Sequence, residues 1–138
     1  MSRTARESDD GAAAVEFALI LPVLLLIVFG IIDAGRMLNM QLALTQAARE
    51  GVRVTALGGT TAAAQARAIE ALFPVTAATA TVNRSCPAVP TTTTPPAQVT
   101  VARTYNYITP ISPIANLLRQ PALATPIITG RGRMRCGG

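Results

Sequence analysis

An apolar run over residues 12–32 dominates the N-terminal part of this chain, and Glu16 is its only charged residue. A helix of these 21 residues rises about 31 Å, close to the roughly 30 Å thickness of a bilayer's hydrocarbon core. Half of all residues are hydrophobic and only 14% are charged. The sequence therefore predicts a single-pass membrane protein with a transmembrane helix over residues 12–32. A cleavable secretory signal is the alternative, but its apolar core would be unusually long and no small-x-small cleavage site follows promptly.

The apolar run contains one proline and lies between two polar segments. Residues 1–11 are polar and predict a leader peptide or a cytoplasmic tail. Pro22, inside the span, frees one backbone carbonyl and predicts a helix kink, which spanning helices tolerate. Asp33 and Arg36 predict the membrane exit, where charged groups reach water.

Residues 33–73 have the periodicity of amphipathic helix. Met37, Met40, Leu44 and Ala48 lie along one face, which predicts packing against the rest of the domain; a partner helix is the alternative. Two glycines interrupt the pattern after Leu57, and residues 60–73 restart it as a second, short helix that Pro74 ends.

Residues 74–138 are richer in β-branched residues. Segments 78–83, 97–108 and 124–136 predict a small antiparallel sheet, and the proline- and threonine-rich residues 87–97 predict an exposed loop. Three prolines between residues 110 and 121 leave room for one or two helical turns at most. The predicted fold class is α+β: a leader or tail (1–11), a transmembrane helix (12–32), an amphipathic helical segment (33–73) and a β-rich domain (74–138).

Two cysteines, Cys86 and Cys136, occur in a chain without histidine and without C-x-x-C spacing. Zinc, haem and Cys/His nucleophile sites therefore lack their partner residues. One disulfide is the more economical interpretation, and two buried free thiols are the alternative. The bridge would close a loop of about 50 residues, worth about 4 kcal/mol on the loop-entropy model. It also indicates an oxidising compartment, which places the β-rich domain outside the cytoplasm and the N-terminus inside.

The charged residues predict neither catalysis nor nucleic-acid binding. All twelve basic residues are arginines scattered along the chain, so no concentrated patch is evident. Beyond Asp33 the only acids are Glu50 and Glu70, which offer no convincing general base or metal set. We therefore predict a non-enzyme without a cofactor. Arg131, Arg133 and Arg135 would share one strand face, which is most often a solvated edge; an anionic cell-surface ligand is the alternative.

Glu16 is costly in this position, since a lone carboxylate in a spanning helix costs roughly 2.5 to 3.5 kcal/mol on insertion scales. One explanation is hydration at the interface, because Glu16 is only about one turn past Ala12. Another comes from its spacing: Gly11 stands five positions earlier, after a polar leader and before an unbroken apolar helix. This pattern resembles type IV pilin-like precursors, in which a membrane peptidase cuts after the glycine. The resemblance implies processing between Gly11 and Ala12, and pairing of Glu16 with a neighbouring subunit's new amine.

The longer string GAAAVEFALILPVLLLIVFGIIDAGRMLNMQLALTQAAREGVR, residues 11–53, closely resembles the N-terminal region of TadE-like proteins, pilin-like minor components of the tight adherence (Tad/Flp) pilus apparatus. The resemblance implies a structural or assembly role in such a pilus. The partners it implies are other pilin-like subunits, the assembly machinery, the prepilin peptidase and the lipid bilayer. The alternative from the residues alone is an uncleaved membrane tether that carries an extracytoplasmic binding domain.

Overall fold

The computed structural model describes residues 4–75, 77–109, 113, 116–117, 119–120 and 125–137, with side chains from residue 11 onward. Two helices, α1 (Thr4–Ala56) and α2 (Thr61–Glu70), precede three strands, β1 (Thr79–Arg84), β2 (Ala97–Thr104) and β3 (Ile127–Met134). This order confirms the predicted α+β class. The chain divides into two compact units, an N-terminal unit (residues 1–35) and a C-terminal unit (residues 36–138).

The N-terminal unit is built from the first part of α1. Most of its large apolar side chains are exposed, between Val28 at 42% and Leu19 at 73%. Such a surface is unfavourable in water and favourable in hydrocarbon. It contains a helix long and apolar enough to cross a membrane. The helix begins at Thr4, so the segment predicted as leader is partly helical, and it continues through Pro22. A kink at Pro22 stays a prediction.

The C-terminal unit has one hydrophobic core, to which α1 contributes a stripe of buried residues: Leu44, Ala47, Ala48 and Val52. Met37 and Met40 are half-buried and pack against this core, as the packing interpretation of the methionine stripe predicts. The helix ends at Ala56. Gly58, two residues later, has a φ of +85°, a conformation that glycine adopts without strain.

Helix α2 packs on the sheet beside β1. Its N-terminus is capped by Thr60, whose hydroxyl oxygen accepts from the backbone N–H of Ala63 at 3.2 Å. The helix ends at Glu70, three residues before the predicted end. The reason is Pro74, because a proline disfavours helical geometry in the residue before it and the chain leaves the helix through a turn.

The sheet has the order β1-β2-β3, and both pairs of strands are antiparallel. The central strand β2 buries Val99 and Val101 completely. It ends at Thr104, earlier than predicted, because the next residue, Tyr105, is fully buried and donates its backbone N–H to the Pro126 carbonyl at 2.8 Å. Strand β3 starts only after Pro126. The proline-interrupted segment 110–121 lies largely outside the described residues.

Two glycines of β3 let α1 lie unusually close to the sheet. A Cβ atom on Gly130 would overlap the backbone between Leu44 and Thr45, and one on Gly132 would overlap the backbone of Ala48. Real Cβ atoms do not approach backbone so closely, so any side chain here would force the helix away from the strand. The glycines therefore set the helix-to-sheet distance.

Cys86 and Cys136 form a disulfide with Cα atoms 5.6 Å apart. Cys86 follows β1 and Cys136 follows β3, and both pack against the edge of the core. The bond thus links the ends of the two outer strands.

Candidate functional site

The residues predicted for processing and assembly all lie on α1 in the N-terminal unit. Gly11, Ala12 and Glu16 are exposed, and no atom lies within 4 Å of a Cβ built on Gly11. Ala12 and Glu16 are four residues apart, so their side chains share one face of the helix. Among the described side chains, Glu16 has no ion-pair or hydrogen-bond partner. A carboxylate in such a helix is therefore left for water or for another polypeptide to satisfy.

The peptide bond between Gly11 and Ala12 lies inside the helix. A peptidase that binds an extended substrate has to unwind this turn first. Glycine weakens a helix by about 1 kcal/mol relative to alanine, so Gly11 makes local unwinding easier here than elsewhere in the alanine-rich turn. The residue type at position 11 thus lowers the cost of unwinding the helix at this peptide bond.

Asp33 and Arg36 behave differently from a pair of solvated charges at a membrane exit. Asp33 is only 2% exposed and has a polar partner, so the expectation that it reaches water is wrong. Arg36 is exposed, donates to the Tyr105 hydroxyl at 3.3 Å and has its guanidinium carbon 5.6 Å from the ring centroid. Tyr105, which sequence analysis did not single out, is the largest fully buried side chain of the core and gives Arg36 a cation–π contact.

A groove of about 320 Å³ adjoins this contact in the C-terminal unit. Its polar lining comes from Arg36, Asn39 and Arg103, and its apolar lining includes Met40 and Leu72. The groove has cationic and amide donors but no carboxylate, so its chemistry suits binding an anion rather than general acid–base catalysis.

The acids of the C-terminal unit are engaged by one arginine. Arg67 lies 3.1 Å from a Glu70 carboxylate oxygen and 3.7 Å from one of Glu50. Within the described part of the chain, no group of three or more His, Cys, Asp or Glu side chains could hold a metal ion. Nothing in the described geometry assembles a nucleophile with a base.

Within the described residues, one apolar helix is long enough to cross a membrane, and it precedes a disulfide-bonded α+β unit. This combination is consistent with the class of membrane-anchored proteins that have a single N-terminal span. The sequence model of the family described as TadE-like protein matches residues 11–53. These are the residues that carried the resemblance, so the TadE-like character of this segment is confirmed. No curated protein and no solved structure matches the chain.

Proposed function

We propose that this protein is a pilin-like structural or assembly component of a Tad-type pilus. Its N-terminal helix would anchor it in the cytoplasmic membrane, with the N-terminus in the cytoplasm and the C-terminal unit outside. The observation that carries the proposal is the exposure of Glu16 among the apolar side chains of α1, five residues after Gly11, where the TadE-like match begins.

The disulfide supports the proposed orientation. Disulfides persist in oxidising compartments and are rare in the cytoplasm, and Cys86 and Cys136 both belong to the C-terminal unit. With that unit outside, the residues before Gly11 would face the cytoplasm, where the prepilin peptidase that the resemblance implies would meet them at the membrane surface.

Processing would explain why Gly11 and Glu16 occur together. Cleavage after Gly11 creates an ammonium group at Ala12, the first residue of the shortened helix. In a low-dielectric environment an ammonium and a carboxylate offset their desolvation only when both are present and close. Glu16 of one subunit would neutralise the amine of its neighbour, so the isolated subunit is disfavoured relative to the assembled one.

Cleavage is tested by the mass of the mature protein. We expect the protein extracted from membranes of a host that has the peptidase to begin at Ala12. The variant Gly11→Val should retain the leader, and because a side chain at position 11 meets no atom within 4 Å, this retention would report peptidase recognition and not misfolding. Ala13→Val serves as the matched control and should be cleaved. An intact leader in the wild-type protein would contradict the proposed processing.

The alternative function is an uncleaved tether whose C-terminal unit binds an envelope component. The observation that favours it is the self-contained core of residues 36–138. Replacing residues 12–32 with an unrelated spanning helix separates the two functions. We expect the wild-type protein in sheared pili, detected by immunoblot, and we expect this replacement to abolish its incorporation while the protein stays in the membrane. A wild-type protein found only in the membrane fraction would favour the tether.

A further inference from the structure

The face of the sheet that points away from the core is strongly basic. On β2, Val99 and Val101 point into the core and Gln98 and Thr100 point outward. On β3 the alternation continues, with Gly130 and Gly132 buried and Thr129, Arg131 and Arg133 exposed. We call the outward residues of the three strands the outer sheet face; its polar members are Thr79, Thr81, Asn83, Arg84, Gln98, Thr100, Thr104, Thr129, Arg131 and Arg133.

The strand register places these side chains in rows. Arg84 lies opposite Gln98, which in turn lies opposite Arg133, so two guanidinium groups flank one amide. Adjacent strands are about 4.8 Å apart, and residues two apart on a strand are roughly 7 Å apart. Arg131 occupies the next row, opposite Thr100. The face therefore presents three arginines whose backbone positions lie within roughly 12 Å of one another, with a side-chain amide and hydroxyls between them.

The three arginines of the outer sheet face all carry a positive charge, and no described acidic side chain pairs with them. Residues 36–138 contain ten arginines and only two acids, Glu50 and Glu70, a net charge of +8. Both acids lie against Arg67. Within the described residues none of Arg84, Arg131 and Arg133 has a carboxylate partner. All three arginines lie on the edge strands β1 and β3, where charged side chains discourage further strand pairing. A solvated surface normally mixes positive and negative side chains, so edge protection alone does not account for a face that carries positive charge only.

A cavity lined by hydroxyl groups lies beside the residues that follow β3. This cavity, of about 910 Å³, lies between the loop Pro90–Pro96 and the residues that follow β3, and Arg135 lines it. Its other polar groups are the side chains of Thr91 to Thr94. The Thr91 hydroxyl lies 3.1 Å from that of Thr93 and 3.0 Å from that of Thr94. The surface thus combines guanidinium donors with amides and hydroxyls over both the face and the cavity.

We propose that the outer sheet face binds an acidic polysaccharide. Guanidinium groups pair with carboxylates through two parallel hydrogen bonds, and amide and threonine groups can donate to and accept from sugar hydroxyls. A single-stranded nucleic acid would need aromatic side chains on which its bases stack, and the described residues of this face include none. The proposal goes beyond assembly: it needs the C-terminal unit outside the cytoplasm but not cleavage after Gly11.

The test measures binding of alginate oligomers, chains of uronic acids, to the full chain in nanodiscs of zwitterionic lipid. We expect the wild-type protein to bind alginate in a salt-sensitive manner and not to bind neutral dextran. The double variant R131Q/R133Q should lose at least about tenfold in affinity, because each arginine contributes a charge-assisted contact. The near-ultraviolet signal of the two tyrosines, both in the C-terminal unit, verifies that each variant is folded.

The matched control is R49Q/R53Q, which removes the same charge from exposed arginines of α1. This variant should bind alginate within about twofold of the wild type, since its arginines are not on the outer sheet face. Equal losses in the two variants would mean that net charge alone attracts the polymer and would overturn the proposal. So would the absence of wild-type binding to alginate, or tighter binding to oligothymidine or to phosphatidylglycerol vesicles.

Discussion

Replacing Gly130 with valine should lower the thermal unfolding midpoint of the C-terminal unit by at least about 12 °C, the change that about 3 kcal/mol produces in a domain of this size. The added side chain would overlap the backbone of α1 between Leu44 and Thr45. Backbone cannot rotate away as a side chain can, so the helix has to move off the sheet. Moving it would expose Val99 and Val101, which are now fully buried.

The measurement follows the near-ultraviolet circular dichroism of the full chain in detergent. Both tyrosines of the chain, Tyr105 and Tyr107, belong to the C-terminal unit and pack edge to face with centroids 5.2 Å apart. Their signal therefore reports this unit and not the membrane helix. Arg131→Val is the control on the same strand: its side chain points outward, and it should change the stability by no more than about 0.5 kcal/mol. Equal midpoints for Gly130→Val and the control would contradict the close approach of helix and strand.

Replacing Glu16 with alanine should reduce incorporation into pili at least about tenfold. The expected loss is large because an ammonium group left unpaired in a low-dielectric contact costs about 3 to 5 kcal/mol. Insertion into the membrane should not suffer: removing a carboxylate from a spanning helix favours insertion, by roughly 2.5 to 3.5 kcal/mol near the bilayer centre and by less near the interface. A loss of pili from this variant would therefore come from assembly.

The assay compares sheared pili with the membrane-extracted fraction of the same cells. Glu16→Gln keeps the shape of the side chain and removes the charge, so it should behave like the alanine variant, whereas Glu16→Asp should retain part of the assembly. Glu7→Ala makes the same change in the segment that cleavage would remove, and it should leave pilus yield unaltered. Normal yields from Glu16→Ala would show that the carboxylate is satisfied by water and would leave the helix as an anchor only.

Much of the fold could be predicted from local patterns. The span over residues 12–32 depends on the rise of a helix and on the need to pair every backbone group inside hydrocarbon, and both are properties of consecutive residues. The alternation around Val99 and Val101 predicted the central strand for a similar reason, since a strand exposes opposite faces at successive residues. The predicted ends of the strands were wrong by a few residues. There Tyr105 and Pro126 form a hydrogen bond between segments that are distant in sequence.

The position of the candidate assembly site could also be predicted, because it is defined by the five-residue spacing of Gly11 and Glu16 in the sequence. The roles of these two residues stay predictions. No comparable pattern predicted the burial of Asp33 or the contact between Tyr105 and Arg36. Burial of a single polar residue depends on what packs over it, and periodicity does not encode that.

The sequence by itself determined that a long apolar helix begins this protein and that a small sheet ends it, because hydropathy and alternation act over neighbouring residues. Only the tertiary structure decided which side of β3 the helix covers. That choice assigns Gly130 and Gly132 to the core and leaves Arg131 and Arg133 on the solvated face that the alternation had predicted for them. The physical reason is that a strand has two faces, and contacts with a helix about 85 residues away in the chain select the one that is buried.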